Sequence, residues 1–305
     1  MVHRLHPPAQ HVALGLLLGI TALGVCLSPG VAQAQSPEVE SPATRFIVRQ
    51  RLAALLNPKG VDHYIEVASR TRIGDQTSLW FTGAHLEVGA VSSVSPVYAA
   101  GGGYLQLSPL SFLVLRAQLT GEGIWPIGMD GAGYYGFDTY DPHLCPQHFL
   151  AADAGSATGY RAHFTGTLQG MVPMGSARLL FLNQFGGEFA EIGAEPYYYD
   201  MRHDISRARA DWLMTNEAFL GVDVVVGDNI VLRAGAYDSL RYRPASGQAN
   251  NQVGPLVMMI FGRPGKILSA VEPFVRGGYY THHGSRLDGT TILGGLSLRY
   301  DLGGA

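Results

Sequence analysis

Lysine is nearly absent. Lys59 and Lys266 are the only two among 305 residues, so 19 of the 21 basic side chains (21 − 2) are arginines. Both lysines sit in turn-like runs, 57–60 (NPKG) and 263–266 (RPGK), whereas several arginines fall inside strand-like segments. That distribution suits paired, oriented charges better than a solvated surface. Charge of either sign is scarce, at 15%, against about 25% in a soluble domain. The formal net charge of −3 argues against a nucleic-acid partner, whose phosphates call for a basic surface. Only two cysteines occur, Cys26 and Cys145. Past the N-terminal segment no stretch approaches the roughly 20 apolar residues of a membrane-spanning helix.

What is present begins with a targeting segment. Arg4 and the early histidines precede the apolar run HVALGLLLGITALGV, then Pro29 and Gly30, then Ala32-Gln33-Ala34. Small residues at Ala32 and Ala34 fit an A-x-A cleavage site. Residues 1–34 are expected to be a cleaved secretory signal, with the cut between Ala34 and Gln35. A lipoprotein signal at Leu23-Gly24-Val25-Cys26 and an uncleaved anchor are the alternatives, and Val25 is bulky for the former. Removal of Cys26 leaves Cys145 alone, and one cysteine cannot staple a monomer.

The rest of the chain reads as strands. Glycine, 40 residues, stands near twice its usual share of about 7%. In 111–125, Leu113, Leu115, Ala117 and Leu119 alternate with Arg116, Gln118, Thr120 and Glu122. In 160–172, Ala162, Phe164, Leu168 and Val172 alternate with Arg161, His163, Thr165, Thr167 and Gln169. The stretch 77–91 sets Trp80, Ala84, Leu86, Val88 and Ala90 against His85 and Glu87. Further on, Glu217 and Asp223 share one face of 211–226. Arg233 and Tyr237 share one face of 230–243, and Glu272, Arg276 and Tyr280 one face of 271–280. The stretch 291–302 puts Ile292, Leu296, Leu298 and Tyr300 opposite Arg299 and Asp301. Period two is the signature of strands with one apolar side. Two stretches resist this reading: 253–261 is apolar on both faces, and in 177–189 Arg178 and Gln184 share a face with Leu180 and Leu182.

Short turns (74–76, 108–110, 173–176, 227–229, 264–268) alternate with longer connections (126–158, 190–209, 244–252, 282–289), the pattern of a meander barrel with one elaborated mouth. Segments 57–60 and 92–96 are short but fall at the elaborated end. Eleven segments are countable from Val61, and an even number is required. Either 44–56 is a further strand turning at 57–60, which gives 12, or 44–57 is a periplasmic helix and 61–73 leaves the wall, which gives 10. Twelve is favoured. The fold class is therefore all-β, an antiparallel up-and-down transmembrane barrel. It spans 44–305 after a short periplasmic segment at 35–43.

With these features the chain resembles a Gram-negative outer-membrane β-barrel. The resemblance rests on the signal segment, strands of about 10 to 14 residues, alternating loop lengths and a last strand whose alternate apolar positions close on Tyr300 and Leu302. It implies an outer-membrane location, contact with lipid and lipopolysaccharide, and insertion by the barrel-assembly machinery. No subfamily motif is matched.

Four groups of residues are candidates for function. The polar strand faces assign His85, Glu87, Arg116, Glu122, Arg161, His163, Glu217, Asp223, Arg233, Arg276 and Arg299 to the lumen. There they either border a water-filled pore with a transverse field or fill the interior with ion pairs. In loop 126–158, His143, Cys145 and His148 match no strong zinc spacing, and the aspartates lack a compact calcium pattern. No metal or cofactor is expected. The alternative for that loop is a surface segment whose Tyr134, Tyr135, Phe137 and Tyr140 fold over the mouth or sit at headgroup level. His283 and Ser285 resemble the His-x-Ser of outer-membrane phospholipases, which also have 12 strands. The family's following Asn is Arg286 here, and a third group would have to orient the base; Asp288 is near in sequence. Finally, tyrosines and arginines in 195–210 suit either a glycan or lipopolysaccharide grip or an ordinary aromatic belt.

The function expected is porin-like passive passage of small solutes. A structural or adhesive barrel acting through its outer loops is the first alternative. A lipid-acting hydrolase is the second, and no catalytic residue is assigned.

Overall fold

A computed structural model describes residues 43–57, 59–144, 149–286 and 289–303. The signal segment with Ala34 and Gln35, and also Cys145, His148 and Asp288, lie outside these residues. Twelve strands close into a barrel. In chain order they are β1 (Thr44–Leu56), β2 (Gly60–Arg72), β3 (His85–Ser95), β4 (Tyr98–Leu110), β5 (Leu113–Ile124), β7 (Ala157–Met174), β8 (Ala177–Ile192), β11 (Ala210–Gly227), β12 (Ile230–Arg243), β13 (Gln248–Gly262), β14 (Leu268–His282) and β15 (Thr290–Asp301). Three short strands stand apart from the wall: β6 (Gly136–Phe137), β9 (Tyr197–Asp200) and β10 (Ile205–Ala208). Each wall strand pairs antiparallel with its neighbours, and β1 joins β15 from Ile47 opposite Asp301 to Leu56 opposite Ile292. Closure leaves no edge to aggregate.

The twelve-strand alternative is the one that forms. The stretch 51–56 (RLAALL) favours helix by propensity, yet it is strand and is paired on both sides, with β2 and β15. The wall is apolar outside and polar within. Leu105, Leu119, Phe164, Phe185, Met214, Val275 and Ile292 are exposed on the outer face, while alternate residues such as Glu87, Arg161 and Arg233 are buried. That is the inversion expected of a barrel solvated by lipid.

Three sequence readings need revision. The stretch 77–91 is not one strand. β3 begins at His85, and 73–84 is a compact link folded over the next turn, with Trp80 edge-on to Phe112 at 6.0 Å and the Ser111 amide donating to the Trp80 carbonyl. β3 also runs to Ser95 and β13 starts at Gln248, so 92–96 and 244–252 are mostly wall. The doubly apolar 253–261 and the ambiguous 177–189 share one explanation. Leu180, Phe219, Tyr237, Leu256, Met258 and Ile260 form an apolar cluster inside the barrel, with Val257 and Met259 outside. Part of the interior is thus a packed core, and there the usual alternation disappears.

β6, β9 and β10 form a three-stranded sheet in the order β10-β9-β6. It is built from the two longest connections, those between β5 and β7 and between β8 and β11, at the end opposite the barrel termini.

Candidate functional site

The interior carries two belts of charge and a polar cross-piece. Near the barrel termini, Arg49 on β1 is the hub of the first belt. Its Nη1 lies 2.7 Å from Glu66 Oε2 and 2.8 Å from Glu87 Oε1, and its Nη2 lies 2.8 Å from Glu87 Oε2. Arg70 Nε donates to Glu87 Oε2 at 2.9 Å, and the Tyr104 hydroxyl donates to Glu87 Oε1 at 2.5 Å. Gly89 makes room for that tyrosine, since a Cβ there would come within 2.7 Å of its ring. Arg116 stacks 3.7 Å over the same ring and reaches Glu66 Oε1 at 2.6 Å. Across the barrel, Arg233 makes a two-point bond to Asp223, 2.8 Å at each contact, and beside Arg49 on the neighbouring strand Arg299 holds Glu272 at 2.6 Å. Two-point arginine–carboxylate pairing combines strength with fixed geometry.

The second belt lies at the mouth and includes the inserted sheet. Arg161 on β7 bonds Glu122 on β5, Glu188 on β8 at 2.8 Å and Asp200 on β9 at 2.7 Å. Arg207 on β10 bonds Glu188 at 2.6 Å and Asp200 at 3.0 Å, and its Nη2 also donates to the Asp211 carbonyl. Burial alone would raise the Asp200 carboxyl, but Arg161, His203 and Arg207 hold it below the usual carboxylate range. Arg202 reaches Glu122 at 3.2 Å and lies over the Tyr98 ring of β4.

On the far side, the Asn250 side chain of β13 donates to the His203 carbonyl at 3.1 Å, and the Tyr280 hydroxyl of β14 donates to Asp204 Oδ2 at 3.1 Å. Asp204 adopts a left-handed φ of 55° and also accepts from the Tyr199 hydroxyl. Arg286 Nε lies 2.8 Å from Asp204 Oδ2. Burial opposes the charge on Asp204, but His283 and Arg286 keep its carboxyl below its ordinary value. Segment 197–208 therefore reaches from β4–β8 to β13–β14, across the bore, and is held at both ends by hydrogen-bonded charge.

The sequence candidates are placed as follows. Glu87, Arg116, Glu122 and Arg161 belong to these belts. His85 is near the first: its Nδ1 is 2.7 Å from the Gly83 carbonyl and its Nε2 3.9 Å from Glu87. His163 stands in register between Gln118 and Glu188. Asp223 and Arg233 pair with each other, whereas Glu217 pairs with Arg241. The Arg276 guanidinium lies 4.4 Å over the Tyr237 ring. Asp223 and Arg233 thus engage each other, while Glu217 and Arg276 have contacts outside this set of four.

The segment 195–210 is not an aromatic belt at the membrane interface but is largely built into the mouth. Tyr198, Tyr199, Ser206 and Arg207 are among the most buried side chains. Tyr134 and Tyr135 of the long loop are buried too, stacked on Tyr198 and Phe149 respectively, so they fold over the mouth. His143 Nδ1 sits 2.8 Å from the Gly284 carbonyl. The phospholipase-like His283 is a turn cap: its Nδ1 accepts the backbone N–H groups of Ser285 at 3.0 Å and Arg286 at 3.1 Å. Its Nε2 faces Asp204, and the Ser285 Oγ lies 3.4 Å from the same Nδ1, whose single lone pair those two backbone N–H groups already share. Glu188, Asp200 and His203 converge closely enough to hold a cation. Their carboxylates already accept from Arg161 and Arg207, whose charges oppose one.

Sequence reasoning missed Arg49, Glu66, Glu188, Asp200, Asp204 and Arg207. Arg49 shares a strand face with Arg45 and Arg51, a signal hidden by the helix-like 51–56. Asp200 and Arg207 sit in what reads as a loop, and nothing local marks their partners.

No family matches the chain, and no curated protein matches it. Among solved structures it is similar to the NanC porin in a rhombohedral crystal form, at 8% identity and a TM-score of 0.40 over 84% of this chain and 100% of that one. It is also similar to the KdgM porin in complex with disordered oligogalacturonate, at 8% identity and 0.37 over 83% and 98%. The outer-membrane protein OmpT of Vibrio cholerae gives 11% and 0.33 over 87% and 100%. What the structure itself establishes is the architecture, a closed antiparallel barrel of twelve strands, apolar outside and largely polar within.

Proposed function

We propose that this protein is an outer-membrane barrel of a Gram-negative bacterium that passes small solutes along a path narrowed at its outer mouth. The observation that carries this reading is the cross-piece 197–208. It is fixed across the bore mainly by ion pairs and hydrogen bonds to the wall, among them Arg161–Asp200, Arg207–Glu188 and Tyr280–Asp204. Polar fastening of a segment inside a polar bore suits a constriction that water and ions approach. In this reading His85, Glu87, Arg116, Glu122, Arg161, His163, Glu217, Asp223, Arg233, Arg276 and Arg299 border the path or fasten its walls. The chain is exported by a signal cut between Ala34 and Gln35 and inserted by the barrel-assembly machinery.

A second reading, a structural barrel with a filled interior, is favoured by the apolar cluster around Phe219, Leu256 and Met258. Liposome swelling separates the two. Purified protein should admit small sugars or amino acids and exclude larger oligosaccharides. Liposomes impermeable to every solute, even with 194–208 replaced by a short glycine–serine link, would leave the structural reading. N-terminal sequencing of the mature protein should begin at Gln35.

A further inference from the structure

The interior ion pairs do not present their two signs equally. Where an ion pair is not sealed on both sides, the arginine is the member left accessible. Arg70 is 33% exposed beside a fully buried Glu87, Arg299 25% beside Glu272 at 4%, and Arg202 25% beside Glu122 at 1%. Arg241 is 18% exposed against 7% for Glu217, and Arg116 12% against 6% for Glu66. Two pairs depart from this. In Arg51–Asp62, toward the mouth, the acid is the more accessible member at 27% against 20%, and Arg45–Asp301 at the rim by the termini is open alike on both.

The cause is stem length. A carboxylate on a short stem stays at the wall, while the longer arginine arches over it to make the bond, laying its guanidinium on the bore side. These arginines follow one another along the barrel. Arg299 and Arg70 lie near the ends of β15 and β2 beside the termini, Arg116 in the lower part of β5, Arg241 toward the mouth end of β12, and Arg202 on the cross-piece.

We infer that the path prefers small anionic solutes bearing carboxylate or phosphate groups. This rests on the proposed solute passage and deepens it. At the five asymmetric pairs a passing ion meets guanidinium first, with the compensating carboxylate behind. At such range, with little water between, the nearer charge dominates. Guanidinium is also the side chain that matches carboxylate and phosphate oxygens in two-point bonds.

The test is a reversal potential across planar bilayers under a tenfold potassium chloride gradient. The wild type should favour chloride over potassium. Arg70→Gln with Arg202→Gln should move the permeability ratio severalfold toward potassium. Because that variant removes partners of buried acids and can fail to fold, a second measurement uses the wild type alone. Millimolar citrate should block the current, and equimolar spermidine should not. A current that favours potassium, or block by spermidine and not citrate, overturns the anion preference while leaving solute passage intact. Absence of any current, in the wild type and with the cross-piece shortened, defeats the passage reading and the preference with it.

Discussion

Arg161 on the wall and Asp200 on the inserted strand are joined by two hydrogen bonds, Nη1 to Oδ2 at 2.7 Å and Nη2 to Oδ1 at 3.1 Å, with both side chains buried. The same guanidinium serves Glu122 and Glu188. Three carboxylates therefore depend on it, and removing one member of a buried ion pair costs about 3–5 kcal/mol because the other is left uncompensated. Arg161→Ala should lower stability by at least that order, read as a shifted urea midpoint in micelles. It should also free 197–208 to limited proteolysis. Protection of that segment equal to wild type would show that another contact holds it.

The fastening should be insensitive to mild acid. Asp200 and Asp204 both have carboxyls held below their ordinary value, by Arg161, His203 and Arg207 in one case and by His283 and Arg286 in the other, against the effect of burial. A carboxyl lowered on folding contributes stability above its unfolded pKa, near 3.9. That contribution fades only as pH falls through the still lower folded value. Hydrogen exchange in 197–208 should thus be unchanged, after correction for intrinsic rates, between pH 7 and pH 5, and should accelerate only in strong acid. Loosening between pH 7 and pH 5 would contradict control by these carboxylates.

Asp223 and Arg233 face each other across the β11–β12 hairpin, both buried, in a two-point pair. Arg233→Glu would oppose two buried acids and should cost roughly 3–5 kcal/mol or abolish folding. The exchange Asp223→Arg with Arg233→Asp should restore much of the loss. Equal damage from the single and exchanged variants would mean that the pair is not the stabilising unit.

The apolar belt has its own test. Phe164 on β7 is exposed on the outer face, while Thr167 lies half-buried on the interior side. Phe164→Arg should cost about 2–4 kcal/mol at midplane depth, and Thr167→Arg much less. A one-residue slip exchanges the faces, so the reverse order of costs would displace the strand register.

How much was legible in the chain depends on range. The wall strands show because lipid outside and charge inside impose period two on residues such as Phe164 and Arg161. The misread stretch 77–91 shows the limit, since Leu79, Trp80 and Phe81 are as apolar as a strand but belong to a turn. At 253–261 the pattern fails for a physical reason: Leu256, Met258 and Ile260 meet an apolar interior, so both faces want the same residues. The cross-piece was not legible at all. Asp200 finds Arg161 and Asp204 finds Tyr280 only once the barrel has closed, and no local periodicity encodes a partner 39 or 76 residues away.

The central claim is that 197–208 narrows the path through a barrel that otherwise conducts. Single-channel conductance in planar bilayers tests it most directly, comparing wild type with the variant in which 194–208 is replaced by a short glycine–serine link. The result expected is a small unitary current in the wild type that rises severalfold in the shortened protein, with the barrel shown intact by its far-ultraviolet circular dichroism. An intact barrel whose conductance is the same with and without the segment would contradict it.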